Sequence, residues 1–179
     1  LLYERVAQKA SKKDVRFSAA LRIIDIILAK GNTQKALAQI DSFKRNFKKS
    51  DEKLILKIKE SQVNFYAGEF KSAGDSLIQV LKNLPKDAPR YNDLLDVQSV
   101  ILAFTDEVES FTTFSKIQLL IRQNKRMQAL EILSTQIEVE NNFIKDIFLY
   151  QSSYLYVLQN EFELATETLN LVSGETIFS

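Results

Sequence analysis

Four times along the chain a glycine or asparagine is followed five residues later by alanine, and four residues after that by isoleucine or leucine. The stretches are "AKGNTQKALAQI" at 29–40, "AGEFKSAGDSLI" at 67–78, "RQNKRMQALEIL" at 122–133 and "LQNEFELATETL" at 158–169. Glycine and asparagine tolerate the left-handed backbone that closes a helix, so Gly31, Gly68, Asn124 and Asn160 each mark a chain reversal. Ala36, Ala73, Ala129 and Ala165 then fall about one turn into the next helix, where a small side chain lets two helices approach. Ile40, Leu77, Leu133 and Leu169 lie one turn further along the same face. The phrase predicts the hinge and first contact of a helical hairpin.

The segments before the turns have helical periodicity. "VRFSAALRIIDIILA" spaces Phe17, Ala20, Leu21, Ile24, Ile27 and Leu28 by three and four, and "DEKLILKIKESQVNFYA" and "NNFIKDIFLYQSSYLYVL" follow the same rule. Ser50 stands in the cap position of "SDEKL", and Pro85 falls where a second helix should stop. Four Gly and two Pro in 179 residues leave little material for the tight turns of a β-sandwich or barrel. The expected fold is all-α, with hairpins at about 15–48, 51–84, 109–138 and 143–173. The turns are 37, 56 and 36 residues apart. The long interval holds an extra helix at about 90–104, with "TDE" at 105–107 as a break; one helix over 92–122 is the alternative.

With 45% apolar and 26% charged residues, the chain has the composition of a globular protein. It contains no His and no Cys, which removes disulfides, thiol nucleophiles, the usual zinc ligands and the commonest general acid/base. Acidic pairs such as Asp106/Glu107 and Glu138/Glu140 have no nucleophile, phosphate loop or metal-binding pattern around them. The chain is therefore read as non-catalytic, with no catalytic, metal or cofactor residues. No apolar run reaches the roughly 18 residues of a membrane span. The opening "LLYERV" has neither Met nor signal-peptide regions, so a fragment or processed chain is expected. Cytoplasm and bacterial periplasm are both compatible with the sequence.

The spacing of turn, alanine and large aliphatic resembles the tetratricopeptide repeat, whose pattern runs W-x2-L-G-x2-Y, then A-x3-F, then P. Residues 17–85 resemble two such repeats and residues 110–173 two more, roughly three quarters of the chain. The sequence departs from the pattern in having no Trp, and in placing Ile24, Ser61, Ile117 and Ser153 where a small residue precedes each turn by seven. Tyr is at its expected place only as Tyr156. The resemblance implies a right-handed solenoid of stacked hairpins, with first helices on the concave side and one helix inserted.

On that reading the inner face collects Leu21, Asp25 and Leu28; Ile58, Gln62 and Phe65; Phe111, Phe114 and Gln118; and Ile147, Tyr150 and Tyr154. Two readings of this row stand: packed core, or a groove for a partner's helix or extended peptide. The groove reading centres on Phe65, Phe111, Phe114, Gln118, Tyr150 and Tyr154. A chaperone-tail adaptor would resemble a Lys/Asn/Arg clamp, whereas Leu21, Asp25, Ile58 and Gln62 occupy those positions here.

The net charge of +1 conceals opposite halves. Residues 1–90 hold 19 Lys/Arg and 10 Asp/Glu; residues 91–179 hold 5 and 13. The basic run "FKRNFKK" at 43–49, with Lys12, Lys13, Lys53, Lys57 and Lys59, reads first as solvated helix-end charge. An acidic protein partner comes next, and nucleic acid is disfavoured because no recognised module accompanies the run. The opposite halves also suit head-to-tail self-association. The ending "LVSGETIFS" lacks a polar capping helix, which suits a segment of a longer solenoid.

Overall fold

In a computed structural model of the protein, which describes residues 2–103, 108–139 and 144–173, positive φ falls at the four recurring turn residues. The angles are 76° at Gly31, 79° at Gly68, 59° at Asn124 and 63° at Asn160. Each turn closes by the same two backbone bonds. Gly31 N–H donates to the Leu28 carbonyl and Asn32 N–H to the Ile27 carbonyl; Gly68 and Glu69 do the same to Phe65 and Asn64. Asn124 and Lys125 donate to Ile121 and Leu120, and Asn160 and Glu161 to Val157 and Tyr156. This 5→2 and 6→1 pair is the Schellman closure, which satisfies helix-end carbonyls and needs a left-handed residue between them.

The turns join α2 (Lys13–Ala29) to α3 (Thr33–Asn46), α4 (Ser50–Tyr66) to α5 (Phe70–Asn83), α7 (Val108–Arg122) to α8 (Arg126–Ile137), and α9 (Lys145–Val157) to α10 (Phe162–Leu169). Two further helices are α1 (Leu2–Lys9) and α6 (Tyr91–Ala103). The protein is all-α: the described residues form ten helices and no strand. The break expected at 105–107 lies outside the described residues. α5 ends at Asn83 ahead of Pro85, which cannot continue a helix. Ser50 is the first residue of α4 instead of its cap. The N-cap is Lys49, and Glu52 in the first turn reaches back so that its Oε2 accepts the Lys49 N–H at 3.0 Å.

The chain divides into two compact units, Leu1–Val108 and Glu109–Ser179. In the first, α1 packs on α2, α2 on α3, α3 on α4, α4 on α5 and α5 on α6. α2 also touches α4, so the first helices of successive hairpins are neighbours. Its core joins Phe17, Ala20, Ile24 and Leu28 of α2 to Ala36, Ile40 and Phe43 of α3 and Leu56 and Val63 of α4. At Gly74 of α5 a Cβ would stand 3.5 Å from Ile101 of α6, an ordinary van der Waals contact, so α6 packs directly on this turn of α5 and an alanine would fit there as well. In the second unit α9 packs on both α8 and α10.

All four recurring alanines are buried, Ala36, Ala73 and Ala129 completely. The position seven residues before each turn faces them in two ways. Ser61 Oγ donates to the Ala73 carbonyl at 2.8 Å, and Ser153 Oγ donates to the Ala165 carbonyl at 2.8 Å. In the other two hairpins the same position is a fully buried isoleucine, Ile24 or Ile117. Half of the hairpins thus close on a hydroxyl bond and half on an aliphatic contact.

Ion pairs tie α2, α3 and α4 together. Lys13 meets Glu52 at 3.1 Å, Lys59 meets Asp25 at 2.7 Å, and Glu60 takes both Lys44 and Lys57. Burial pushes the Glu52 and Glu60 carboxyls up, but hydrogen bonds outweigh it and leave both below the usual 4.5. The donors are the Lys49 backbone and Lys13 for Glu52, and Lys44 and Lys57 for Glu60. A carboxylate held lower in the folded state than in the unfolded one stabilises the fold above the unfolded value and loses that contribution as pH falls through the folded value. The melting temperature should therefore drop as pH is taken from about 5 toward about 3. Glu52→Gln combined with Glu60→Gln should flatten that acid limb. An unchanged limb in the double variant would assign acid sensitivity to other groups.

Candidate functional site

α9 is apolar on nearly every side, and its packing decides which side faces inward. Phe148, Leu149, Ser152, Ser153 and Leu155 are buried against the rest of the second unit. Tyr150 is 60% exposed and Tyr154 50%, followed by exposed Val157 and Leu158. The spacing i, i+4, i+7, i+8 lines these four up along one face of α9 and its C-cap. A contiguous aromatic and aliphatic stripe left this exposed marks an interaction surface more strongly than scattered exposed leucines would.

The six residues predicted for the groove divide into three environments. Phe111 is buried, and its ring stacks on half-buried Phe114 at 6.2 Å; Phe114 in turn meets Phe148 at 6.5 Å. These rings tie α7 to α9 and belong to the core of the second unit. Gln118 is half-buried, and its Nε2 has no hydrogen-bond partner among the described residues. Tyr150 and Tyr154 lie roughly 200–240° around α9 from Phe148 at about 100° per residue, so they point away from the phenylalanine cluster. Phe65 belongs to the first unit, half-buried, with its ring against Tyr66 and Phe70. Within the second unit, the geometry therefore separates the packed phenylalanines from the exposed tyrosines.

The inner-face positions of the first unit are largely committed to the fold. Leu28 is fully buried, and Asp25 is engaged by Lys59. The basic run is likewise partly neutralised: Phe43 and Phe47 are core, Lys44 pairs with Glu60 and Asp41, and Lys49 reaches Asp14 at 4.0 Å. Of its companions, Lys13, Lys57 and Lys59 all face carboxylates. Each cation held by a carboxylate is one fewer charge for releasing phosphate counterions.

Two features escaped the sequence reading. Val157 and Leu158 extend the tyrosine stripe, and the signal for them was an α9 segment with too many apolar residues for one buried face. The second is a cleft of about 800 Å³ between α1, α2 and α3. Among the described residues no group of three or more acidic side chains is arranged to hold a metal ion, and no helix is long and apolar enough to cross a membrane. Asp106, Glu107 and Glu140 lie outside the described residues. No protein-family model matches the chain, and neither does any curated protein or solved structure.

Proposed function

We propose that the chain is a tetratricopeptide-like array of helical hairpins that acts as a non-catalytic scaffold, holding a helix or extended peptide of a partner protein against α9. The observation that carries this reading is the exposed stripe Tyr150, Tyr154, Val157 and Leu158 on a helix whose other face is anchored by Phe148, Leu149 and Leu155. Rigid aromatics on a fixed helix lose little entropy on binding and supply much of the energy at peptide-recognition surfaces. The repeat reading draws support from the four identical turn closures, the buried alanines and the contact between α2 and α4.

Tyr150→Ala combined with Tyr154→Ala should weaken partner capture from source-cell extract by about 2 kcal/mol or more, roughly thirtyfold. Helicity by circular dichroism should not change, because both rings are at least half exposed. A partner retained equally by both proteins would move the interface off α9. A second reading, a structural or self-assembling module, is favoured by α10, where Ala165 is the buried residue while Phe162, Leu164 and Leu169 are exposed.

A further inference from the structure

The cleft between α1, α2 and α3 combines two chemistries. Its floor carries Ile23, Ile26 and Phe43, and its walls carry Arg16, Lys30 and Lys35. Arg16 forms no ion pair among the described residues, and Lys30 and Lys35 act only at longer range on Glu4, the acidic residue of the lining. The other lining cation, Lys13, is already taken by Glu52. Apolar floor and under-neutralised cations together call for an amphipathic anion.

The chain itself carries a segment of that description. On α10, Phe162 and Leu169 are seven residues apart and share one edge of the helix, while Glu163 and Glu167 are four apart and share the adjoining edge. All four are exposed, Phe162 at 59%, and the helix holds no basic residue. With eight residues, α10 is roughly 12 Å long, short enough for its two apolar side chains to enter one cleft while its carboxylates meet the cationic wall.

We propose that the α1–α2–α3 cleft of one chain receives the acidic, apolar edge of α10 from a second copy of this chain. Phe162 and Leu169 enter over Ile23, Ile26 and Phe43, and Glu163 and Glu167 face Arg16, Lys30 and Lys35. The two surfaces differ, so the contact is heterologous. Each added copy leaves a cleft free at one end and an α10 free at the other, and the assembly grows unless its rotation closes a ring. Charge complementarity speeds and selects this encounter, and the apolar side chains hold it.

Sedimentation velocity across a concentration series tests the proposal with the full chain. At low salt the weight-average mass should rise with concentration, and at about 0.5 M salt, where exposed charges are screened, association should weaken by about tenfold. Lys30→Glu with Lys35→Glu should remove association through the cleft, and Phe162→Ala with Leu169→Ala should remove it through α10. Both pairs change exposed side chains, and circular dichroism checks that the fold survives. Mixing the two variants is the decisive arm. The cleft variant keeps an intact α10 and the α10 variant keeps an intact cleft, so together they should form a one-to-one dimer and nothing larger. Should either pair unfold the chain, Glu163→Lys with Glu167→Lys supplies an independent α10 variant with the same expected outcome. A chain that stays monomeric at every concentration in low salt overturns the proposal and leaves the cleft to some other anionic amphiphile. Association that both variants retain, or a mixture that fails to pair, overturns it as well.

Discussion

Replacing Phe148 by alanine is expected to cost about 3–5 kcal/mol, the range for removing a buried phenylalanine ring. Phe148 is fully buried, and its ring meets Phe114, which stacks on Phe111. Deleting the ring would leave a cavity that α7 and α9 cannot both collapse into, because the buried residues Leu149 and Leu155 hold α9 in place. The second unit holds about 70 residues, and a domain of that size carries about 4–10 kcal/mol in total. The loss therefore takes much of what the unit has. Urea denaturation should show a lower midpoint, and hydrogen exchange should accelerate in residues 109–173 before residues 2–103. A midpoint within about 1 kcal/mol of the parent would mean that the phenylalanine cluster is not the core of this unit. Tyr150→Ala is the contrasting substitution: with 60% of the side chain in water, it should change stability by no more than about 0.5 kcal/mol. The contrast also governs how partner binding is measured. Phe114 cannot serve as a probe of binding alone, because its ring supports Phe148.

The turns were readable from the sequence because the left-handed conformation narrows the choice of residue, and Gly31, Gly68, Asn124 and Asn160 are the types that accept it. The alanines were readable for a related reason: close helix approach excludes most side chains at Ala36, Ala73 and Ala129. The orientation of α9 was not. With Phe148, Leu149, Tyr150, Tyr154, Leu155 and Val157 in one helix, the period alone admits several inward faces, and only packing on α8 and α10 selects among them. Charge was misleading for a similar reason. Lys13 and Lys59 appear unpaired along the chain, yet their carboxylates at Glu52 and Asp25 are 39 and 34 residues away and arrive through the hairpins. α1 had no announcing turn, and at eight residues its apolar face is too short to stand out along the chain; none of its residues is fully buried.

Ile24→Ala should cost about 2–5 kcal/mol, whereas Ser61→Ala, at the equivalent place in the next hairpin, should cost only about 1 kcal/mol. The positions correspond because each precedes its turn glycine by seven residues. Ile24 is fully buried within a core that reaches from Phe17 to Val63, so truncation removes apolar contact and opens a void at the centre of the first unit. Ser61 contributes one hydrogen bond to the Ala73 carbonyl, and that carbonyl belongs to a helix, where the backbone can still bond it when the hydroxyl is gone. A repeat position is thus conserved in geometry and changed in energetics. Thermal or urea unfolding of the two single variants measures the difference directly. Equal losses would imply that the hydroxyl does more than bridge two helices. A small loss for Ile24→Ala would imply that α2 and α3 can close over the missing atoms, which the completely buried Ala36 and Leu28 leave little room to do. The hairpin therefore depends on volume at its first closure and on a directed bond at its second, and the two substitutions separate those dependences within one chain.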